Sequence, residues 1–396
     1  MTDRYQKVTI VGGCGHVGLP LGLSLAGLGR HVTLLDINQK AIAQVNRGQM
    51  PFLERGGEQL LGQTLAKKLL VATSSTDSVA KSDAIVVVTG TPVDEHLNPN
   101  PTALNRMILE LRPLFRSGQL LLLRSTVYPG TTTLIAEQLE GLGLQVAFCP
   151  ERIAQGFALE EIARLPQLVG GVTPAATEAA RAFFTGLTDK IIELSPIEAE
   201  LAKLFTNTWR YLNFAVSNQF FTLANDFGLD FYRIYQAMVQ DYPRMTGFAR
   251  PGFAAGPCLF KDTMQLAAFS HNSFFLGHAA MLVNEGLPNY LVGCLRREQD
   301  LKKTTVGILG MAFKADNDDS RESLSYKLRK VLSWEAKQVL CSDVYISDPS
   351  FVSAEELVRR SDVVILGAPH REYKNLDLAG KKPIDVWNFW GRGGQV

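Results

Sequence analysis

The residue whose surroundings most favour chemistry is Cys258, which stands between a loop of small residues and a Lys-Asp pair. Residues 250–263 read RPGFAAGPCLFKDT, so that Lys261 follows three residues after the cysteine. A nearby lysine and a helix whose amino end faces the sulfur would both favour the nucleophilic thiolate. A lone cysteine in a loop is also often a buried structural residue. The role of Cys258 therefore depends on what the rest of the chain places around it.

A long helix is predicted for residues 196–226, and it carries polar residues at helical spacing. Lys203 and Asn207 are four residues apart and share a face, with Arg210 three residues further along. An ammonium and an amide that converge on one point can hold a developing oxyanion and modulate a proton. The simpler interpretation is a solvated polar face.

The same segment is rich in aromatic residues, which indicates that it packs against something large. We interpret it as a helical linker domain and a dimer interface, although aromatic side chains are more common in cores. These residues are Phe205, Trp209, Tyr211, Phe214, Phe220 and Phe221.

The amino-terminal segment has the order strand, glycine-rich turn, helix, strand, acid. Strands are predicted at 7–11 and 31–36, with a helix at 19–28 and Asp36 at the end of the second strand. Glycines allow a tight turn and close approach to a pyrophosphate on the helix amino end, while the acid accepts hydrogen bonds from a ribose diol. Because Asp36 would repel a 2′-phosphate, the pattern predicts NAD rather than NADP. The motif glycines are Gly13, Gly15 and Gly18.

Further parallel strands are predicted at 84–89, 120–124 and 146–148, separated by helical spacing. The loops that follow them should border the cofactor, because ligands of doubly wound sheets bind outside the carboxyl ends of the strands. Ordinary turn chemistry would explain the Thr-Pro and Pro-Gly pairs of two of these loops. The third loop contains Glu151 and Arg152, which are a surface ion pair or part of the site.

After the Cys258 loop a mostly helical stretch is predicted up to about residue 300, and then a second strand series begins at 304–310. Its further strands are predicted at 344–347, 363–367 and 384–387. The loop 311–323 carries Lys314 and Arg321, both able to contact phosphates. The segment contains no second GxGxxG, so we do not expect it to bind its own dinucleotide.

Length and composition exclude several classes of protein. A chain of 396 residues predicts two or three domains, and a net charge of +1 gives no electrostatic footprint for nucleic acid or an anionic membrane. The five cysteines are scattered without a CxxC pair, which argues against disulfides or a metal site and suits the cytoplasm. Residues 8–29 lack charged residues but contain seven glycines and Pro20, so we interpret them as a soluble βα unit rather than a signal peptide or membrane span.

Taken together, the motifs resemble the UDP-glucose/GDP-mannose dehydrogenase family over essentially the whole chain. Seven ordered stretches carry the resemblance and are far more specific together than any one alone. In chain order they are GCGHVGLPLG, TGTPVDEHLNP, RSTVYPGTTT, CPERIAQG, EAELAKLFTNTWR, GPCLFKD and GMAFKADNDDSRES.

The resemblance implies an α/β fold with two Rossmann-like doubly wound domains joined by a long central helix and a helical linker domain. The implied domains are 1–195 for NAD, 196–300 for dimerisation and the Cys258 loop, and 301–396 for the nucleotide sugar. The implied partners are a small-molecule UDP-sugar and a second copy of the chain. The implied reaction is a four-electron, NAD-dependent oxidation of a sugar C6 alcohol to a carboxylate, through a thiohemiacetal and a thioester on Cys258.

The family motifs also assign roles to residues of this chain. Lys203 is implied as charge stabiliser or base, Glu151 in thioester hydrolysis, and Arg244 at the site of a neighbouring subunit. The implied catalytic residues are Cys258, Lys203, Asn207, Asp262, Glu151 and Thr126. The implied cofactor ligands are Gly13, Gly15, Gly18, Asp36, Thr91, Thr126 and Arg321. The implied substrate ligands are Glu151, Arg152, Lys203, Asn207, Arg210, Arg244 and Lys314.

Departures from the family pattern leave the sugar open. Gln155 resembles the UDP-N-acetylhexosamine branch, whereas the Lys261-Asp262 pair resembles the UDP-glucose branch, and we favour the acetamido sugar. Ala254 and Ala255 intrude in the loop before the cysteine. Two alternatives are a two-electron hydroxyacid-type dehydrogenase, which has no use for Cys258, and a catalytically silent protein that binds NAD and nucleotide sugar.

Overall fold

The structure is a computed structural model that describes residues 5–90, 102–253, 256, 258–394 and 396. The chain divides into two compact units, Met1–Thr206 and Asn207–Val396. Each unit contains a parallel sheet of its own, so the predicted α/β class is confirmed.

The first unit is built on an eight-stranded sheet in the order β3-β2-β1-β4-β5-β6-β7-β8 among the described residues. Its first six strands have the Rossmann order, and all neighbours pair in parallel except β6 with β7. The strands are β1 Lys7–Val11, β2 His31–Leu35, β3 Leu70–Thr73, β4 Ala84–Val87, β5 Leu120–Leu123, β6 Gln145–Phe148, β7 Gln167–Gly171 and β8 Ile191–Glu193.

The inner strands form because their residues are apolar on both faces, as a parallel sheet covered by helices requires. β4 reads AIVV and β5 reads LLLL, and every residue of both is buried. These strands and β1, β2 and β6 were predicted from the sequence, whereas β3, β7 and β8 were not. The helices are α1 Gly18–Gly27, α2 Gln39–Asn46, α3 Gly57–Ala66, α4 Asp77–Lys81, α5 Thr102–Leu111, α6 Thr131–Gln138, α7 Ala158–Arg164 and α8 Pro174–Phe184.

Local capping fixes where the long helix α9, Pro196–Asp226, begins. Both the N–H and the hydroxyl of Ser195 donate to the Glu198 carboxylate, at 2.8 and 2.7 Å. This arrangement is one half of a capping box, in which the acid accepts the backbone N–H of the N-cap residue. Pro196 has a fixed φ that suits the first residue of a helix. The predicted helix over residues 196–226 is thus confirmed.

The second unit contains the later part of α9 and a three-stranded parallel sheet in the order β10-β9-β11. Its strands are β9 Thr305–Leu309, β10 Gln338–Ser342 and β11 Val363–Leu366. The remaining helices are α10 Phe231–Val239, α11 Leu259–Phe269, α12 Phe275–Glu298, α13 Leu324–Glu335 and α14 Ala354–Arg360.

Two predicted strands of this unit are wrong. Residues 344–347 form a turn, because the Asp343 carboxylate accepts the N–H groups of Tyr345 and Ile346 at 2.8 and 3.0 Å; the strand is the preceding segment β10. At 384–387 only Ile384 pairs, through a single bridge to Ile365, and the next residues turn around the Asp385 carboxylate, which accepts the Trp390 N–H.

The aromatic residues of α9 divide between core and surface. Tyr211 and Phe221 are fully buried, whereas Trp209 is 66% exposed and Phe220 is 40% exposed. The interpretation as core residues is therefore confirmed for Tyr211 and Phe221, and the dimer interface stays a prediction. Across the described part of the chain, no helix combines the length and the apolar character needed to cross a membrane.

Candidate active site

The glycine-rich turn between β1 and α1 is closely packed at two of its three motif glycines. A side chain at Gly13 would lie 2.7 Å from the Ile10 carbonyl oxygen, and one at Gly18 would lie 2.7 Å from the Gly13 Cα. At Gly15 the nearest atom is 3.7 Å away, so that position borders open space. The turn therefore leaves room for a ligand beside Gly15, at the amino end of α1.

Asp36 lies at the end of β2 and faces this turn. Its Oδ2 accepts the N–H of Cys14 at 2.9 Å, and its Oδ1 accepts the N–H of Asn38 at 3.0 Å. Each oxygen keeps a lone pair that can accept from a ribose hydroxyl. The predicted cofactor residues Gly13, Gly15, Gly18 and Asp36 thus lie at one turn, whereas Thr91 is outside the described residues. Thr126, also predicted at the cofactor, is half-buried just after β5.

The start of α9 is tied to the loop that follows Thr126. The Glu200 carboxylate accepts the Gly130 N–H at 2.6 Å and both the N–H and the hydroxyl of Thr132, at 2.9 and 2.6 Å. Burial raises the pKa of Glu200, against the effect of these hydrogen bonds. Lys203, one turn further along α9, is also buried, so it is not part of a solvated polar face.

Glu151 lies after β6 and makes its ion pair with Arg124, not with Arg152. The Arg124 Nη2 donates to Glu151 Oε2, while the backbone N–H groups of Arg152 and Ile153 donate to Oε1. The Arg152 guanidinium donates instead to the Pro166 carbonyl. The interpretation of Glu151 and Arg152 as a surface ion pair is therefore wrong.

In the second unit, Cys258 is exposed and caps the amino end of α11. Four residues later in the sequence, Asp262 is fully buried and contacts two other polar side chains. Asn207 donates from Nδ2 to Asp262 Oδ2 at 2.6 Å, and Lys261 Nζ lies 3.0 Å from Oδ1. Since Asn207 is buried as well, this polar group belongs to the interior of the unit.

Arg321 brings a positive charge close to the same cysteine. Its guanidinium donates to both oxygens of Asp319, and this hydrogen bonding is the main reason why the pKa of Arg321 is raised. A thiolate at Cys258 would raise that pKa further. The Gly256 N–H also donates to the Glu322 carbonyl at 3.4 Å, which joins the Cys258 loop to the segment that follows β9.

The remaining predicted ligands of the second unit lie in separate surroundings. Lys314 is half-buried on the loop after β9, with its ammonium 5.9 Å from the centre of the Phe313 ring. Arg210 and Arg244 are exposed, the latter over the Tyr242 ring at 5.6 Å. Ala254 and Ala255 lie outside the described residues.

The acid that follows β10, Asp343, is buried and fully engaged in hydrogen bonds. Asp343 Oδ2 accepts the N–H groups of Met311 and Ala312 and a hydrogen bond from His370 at 3.1 Å, and both side chains are fully buried. Burial alone would raise the pKa of Asp343, but the hydrogen bonds outweigh it and lower the pKa. This acid is thus a structural residue and is closed to a ribose.

Sequence reasoning did not identify Arg124, Gln167 or His370, which the structure places in buried polar networks. A signal existed for Arg124, since a cation that directly follows four buried leucines needs a partner. Within the described residues, no three His, Cys, Asp or Glu side chains are arranged to hold a metal ion.

The fold and the two sites define a Rossmann-type, NAD-dependent dehydrogenase, and comparison with known proteins gives its family. Three models of the UDP-glucose/GDP-mannose dehydrogenase family match: the NAD binding domain at residues 6–188, the central domain at 197–285 and the UDP binding domain at 307–392. The chain belongs to this family, and the resemblance inferred from its motifs is confirmed.

Individual relatives cover almost the whole chain. A UDP-N-acetyl-D-mannosamine dehydrogenase of Methanocaldococcus jannaschii is 30% identical over an alignment of 390 residues that covers 96% of this chain and 89% of the relative. The structure of a UDP-D-ManNAc dehydrogenase from Pyrococcus horikoshii has a TM-score of 0.87 at 27% identity, covering 93% of this chain and 91% of the other. A UDP-glucose dehydrogenase structure from Pyrobaculum islandicum also has a TM-score of 0.87, at 26% identity and with coverage of 97% and 95%. The protein is accordingly an NAD-dependent nucleotide-sugar dehydrogenase.

Proposed function

We propose that the enzyme oxidises the C6 alcohol of a UDP-sugar by four electrons to the uronic acid, with Cys258 as the nucleophile. The observation that carries the proposal is the setting of Cys258: an exposed thiol at the amino end of α11, near Arg321 and directly before the buried Asp262, whose partners are Asn207 and Lys261. A helix amino end and a nearby cation both stabilise a thiolate. A dehydrogenase that stopped at the aldehyde would have no use for one.

The chemistry of the second oxidation requires such a thiolate. NAD, when bound, accepts the hydride in each oxidation. An aldehyde must first become tetrahedral to lose a hydride, and the Cys258 sulfur achieves this by bonding to the aldehyde carbon as a thiohemiacetal. Its oxidation leaves a thioester, and water then cleaves the carbon–sulfur bond to give the carboxylate and restore the thiolate.

We propose the remaining catalytic roles from the family motifs. Lys203 stabilises the charge of the reacting oxygen or takes its proton, and Asn207 donates to that oxygen. Asp262 and Thr126 order a water molecule, and Glu151 takes its proton in thioester hydrolysis. The buried state of Lys203 and Asn207 supports these roles, since electrostatic stabilisation is strongest away from bulk water.

NAD fits the first unit, because the turn is open at Gly15 while the Asp36 carboxylate keeps lone pairs for a ribose. Gly13 and Gly18 shape the turn by close packing. Thr91 and Thr126 would complete this side of the site, and Arg321 would contribute its charge to the cofactor.

For the nucleotide sugar we propose Arg152, Lys203, Asn207, Arg210 and Lys314 as ligands with Glu151, and Arg244 from a neighbouring subunit. An acetamido sugar is favoured by Gln155 and by the relatives named as UDP-N-acetyl-D-mannosamine dehydrogenases. Comparison of UDP-N-acetylmannosamine, UDP-N-acetylglucosamine, UDP-glucose and GDP-mannose as substrates tests this choice. NADH formation with UDP-glucose alone would contradict it.

We also propose a homodimer that forms through α9. In the second unit the exposed apolar residues Trp209, Val216 and Leu223 recur along this helix every seven residues, which is about two helical turns, and the exposed Phe227 follows directly after the helix. Phe227 is 78% exposed, and a groove beside it is lined by apolar side chains of α9 and α10. A continuous apolar face of this kind is typical of a subunit interface.

The domain limits that we propose are 1–195, 196–300 and 301–396, for NAD, for dimerisation with the Cys258 loop, and for the nucleotide sugar. We propose a cytoplasmic enzyme that supplies nucleotide uronic acid for polysaccharide biosynthesis. None of the five cysteines, all of which lie within the described residues, forms a disulfide, which suits a reducing compartment.

Replacement of the nucleophile tests the proposal. Cys258→Ser should abolish steady-state formation of the uronic acid while the protein still binds NAD, because an alcohol is a much weaker nucleophile than a thiolate. The matched control is Cys341→Ala, which removes a buried thiol whose pKa is raised to about 11 by burial, and which should retain turnover. Unchanged turnover of Cys258→Ser would favour a two-electron dehydrogenase, and binding of both ligands without NADH formation by the wild type would favour a silent protein.

A further inference from the structure

The Glu151 carboxylate is held by three hydrogen-bond donors, which leave it little freedom. Its Oε1 accepts the N–H of Arg152 at 2.8 Å and that of Ile153 at 3.1 Å, and its Oε2 accepts from Arg124. A carboxylate has about four lone-pair positions. Among the described residues no further donor reaches Glu151, so one position remains, on Oε2.

Arg124 is itself fixed in a buried network. Its Nη1 donates to Gln167 Oε1 at 2.8 Å, and the Gln167 amide donates to the carbonyl groups of Pro150 and Leu168 at 3.3 and 2.8 Å. The guanidinium lies 5.2 Å from the centre of the Phe184 ring. The side chain of Arg124 is only 2% exposed and that of Glu151 only 11%. Because breaking a buried ion pair is costly, the two residues stay paired.

We propose that Arg124 is a positioning residue for thioester hydrolysis. It fixes the Glu151 carboxylate so that the remaining lone pair of Oε2 receives a proton from the attacking water. This inference rests on the role proposed above for Glu151. In the step concerned, the water oxygen bonds to the thioester carbonyl carbon, the carbon–sulfur bond breaks, the sulfur leaves as the Cys258 thiolate, and one water proton passes to Glu151.

The two oxidations precede this step and do not use Glu151, so loss of Arg124 should slow thioester hydrolysis and leave both hydride transfers intact. In Arg124→Met, rapid mixing with excess NAD and substrate should give a burst of NADH at nearly the wild-type rate. The steady-state rate should then fall at least about tenfold, because a misplaced base loses the advantage of orientation. Acid quenching and intact-mass measurement should reveal a thioester on Cys258.

Three further variants make the result specific. Arg164→Met removes an exposed arginine that pairs with Glu160 in the same unit and should behave as wild type. Arg124→Lys keeps the charge but cannot reach both Glu151 and Gln167 with a planar fork, so it should fall between wild type and Arg124→Met. Glu151→Gln should accumulate the same thioester, and combining it with Arg124→Met should add little further loss, since both act on one step.

The outcomes separate this inference from the proposed function. If Arg124→Met hydrolyses the thioester at the wild-type rate while Glu151→Gln accumulates it, the role of Arg124 is overturned and that of Glu151 stands. If Glu151→Gln itself accumulates no thioester, the proposed role of Glu151 fails. Should Arg124→Met not fold, Arg124→Lys decides: accumulated thioester supports the inference, and wild-type hydrolysis overturns it.

Discussion

Asp262 is fully buried, and each oxygen of its carboxyl group has one neighbouring polar side chain as its partner. Asn207 donates to one of its oxygens at 2.6 Å, and Lys261 lies 3.0 Å from the other. A carboxylate in the interior is tolerated only with such partners. Asp262 therefore fixes the Asn207 amide, and with it the direction in which that amide can donate.

At this site we predict that Asp262→Asn lowers kcat by about 100-fold, because the isosteric amide cannot hold both partners, so that the Asn207 amide and the ordered water molecule lose their positions. Steady-state kinetics measure the loss, and circular dichroism checks that the fold is retained. Asp300→Asn is the control, since Asp300 forms an exposed pair with Lys303. Wild-type kcat in Asp262→Asn would remove Asp262 from the proposed mechanism.

Individual residues were predictable where a motif places them within one short stretch. Cys258 with Asp262, and the glycines before α1, are of this kind. The ion pair of Arg124 with Glu151 was not predictable, because the two residues follow different strands and meet only when β5 and β6 pair. The same holds for His370 and Asp343, which follow β11 and β10 and meet only in the folded sheet.

At the level of elements, the turn between β1 and α1 offers a matched pair of substitutions. Gly15→Ala should leave the free energy of unfolding within about 1 kcal/mol of wild type, since the new methyl group meets nothing closer than 3.7 Å. It should raise the Kd of NAD at least about tenfold, because the methyl group occupies space that the pyrophosphate needs.

Gly13→Ala, unlike Gly15→Ala, should destabilise the fold. Its methyl group would lie 2.7 Å from the Ile10 carbonyl and 2.8 Å from Leu34, so it should also lower stability by about 1–3 kcal/mol. Thermal unfolding and NAD titration measure both effects. Equal losses of stability in the two variants would contradict the assignment of Gly15 to the cofactor side.

Elements such as β5 and α9 could be predicted because an apolar run or a helical repeat specified them. The errors arose where a side chain overrode the apolar pattern. Residues 344–347 contain Val, Tyr and Ile and look like a strand, but the Asp343 carboxylate captures two of the backbone N–H groups that a strand would need.

For the whole molecule, the proposed dimer can be tested by a substitution in the apolar face of α9. Leu223→Glu places a charge in the apolar face of α9 and should yield a monomer in light scattering, with a raised KM because Arg244 then lacks a neighbouring site. Trp334→Glu is the control, since Trp334 is 80% exposed on α13, away from that face in the sequence. A dimer of unchanged stability in Leu223→Glu would contradict the interface.

The central claim is that each sugar loses four electrons, and the amount of NADH formed per sugar consumed tests it most directly. With limiting nucleotide sugar and excess NAD, each sugar should yield two NADH and one carboxylate, because the Cys258 thiolate makes the second hydride transfer feasible. A ratio near one, with an aldehyde or ketone as the product, would contradict the account.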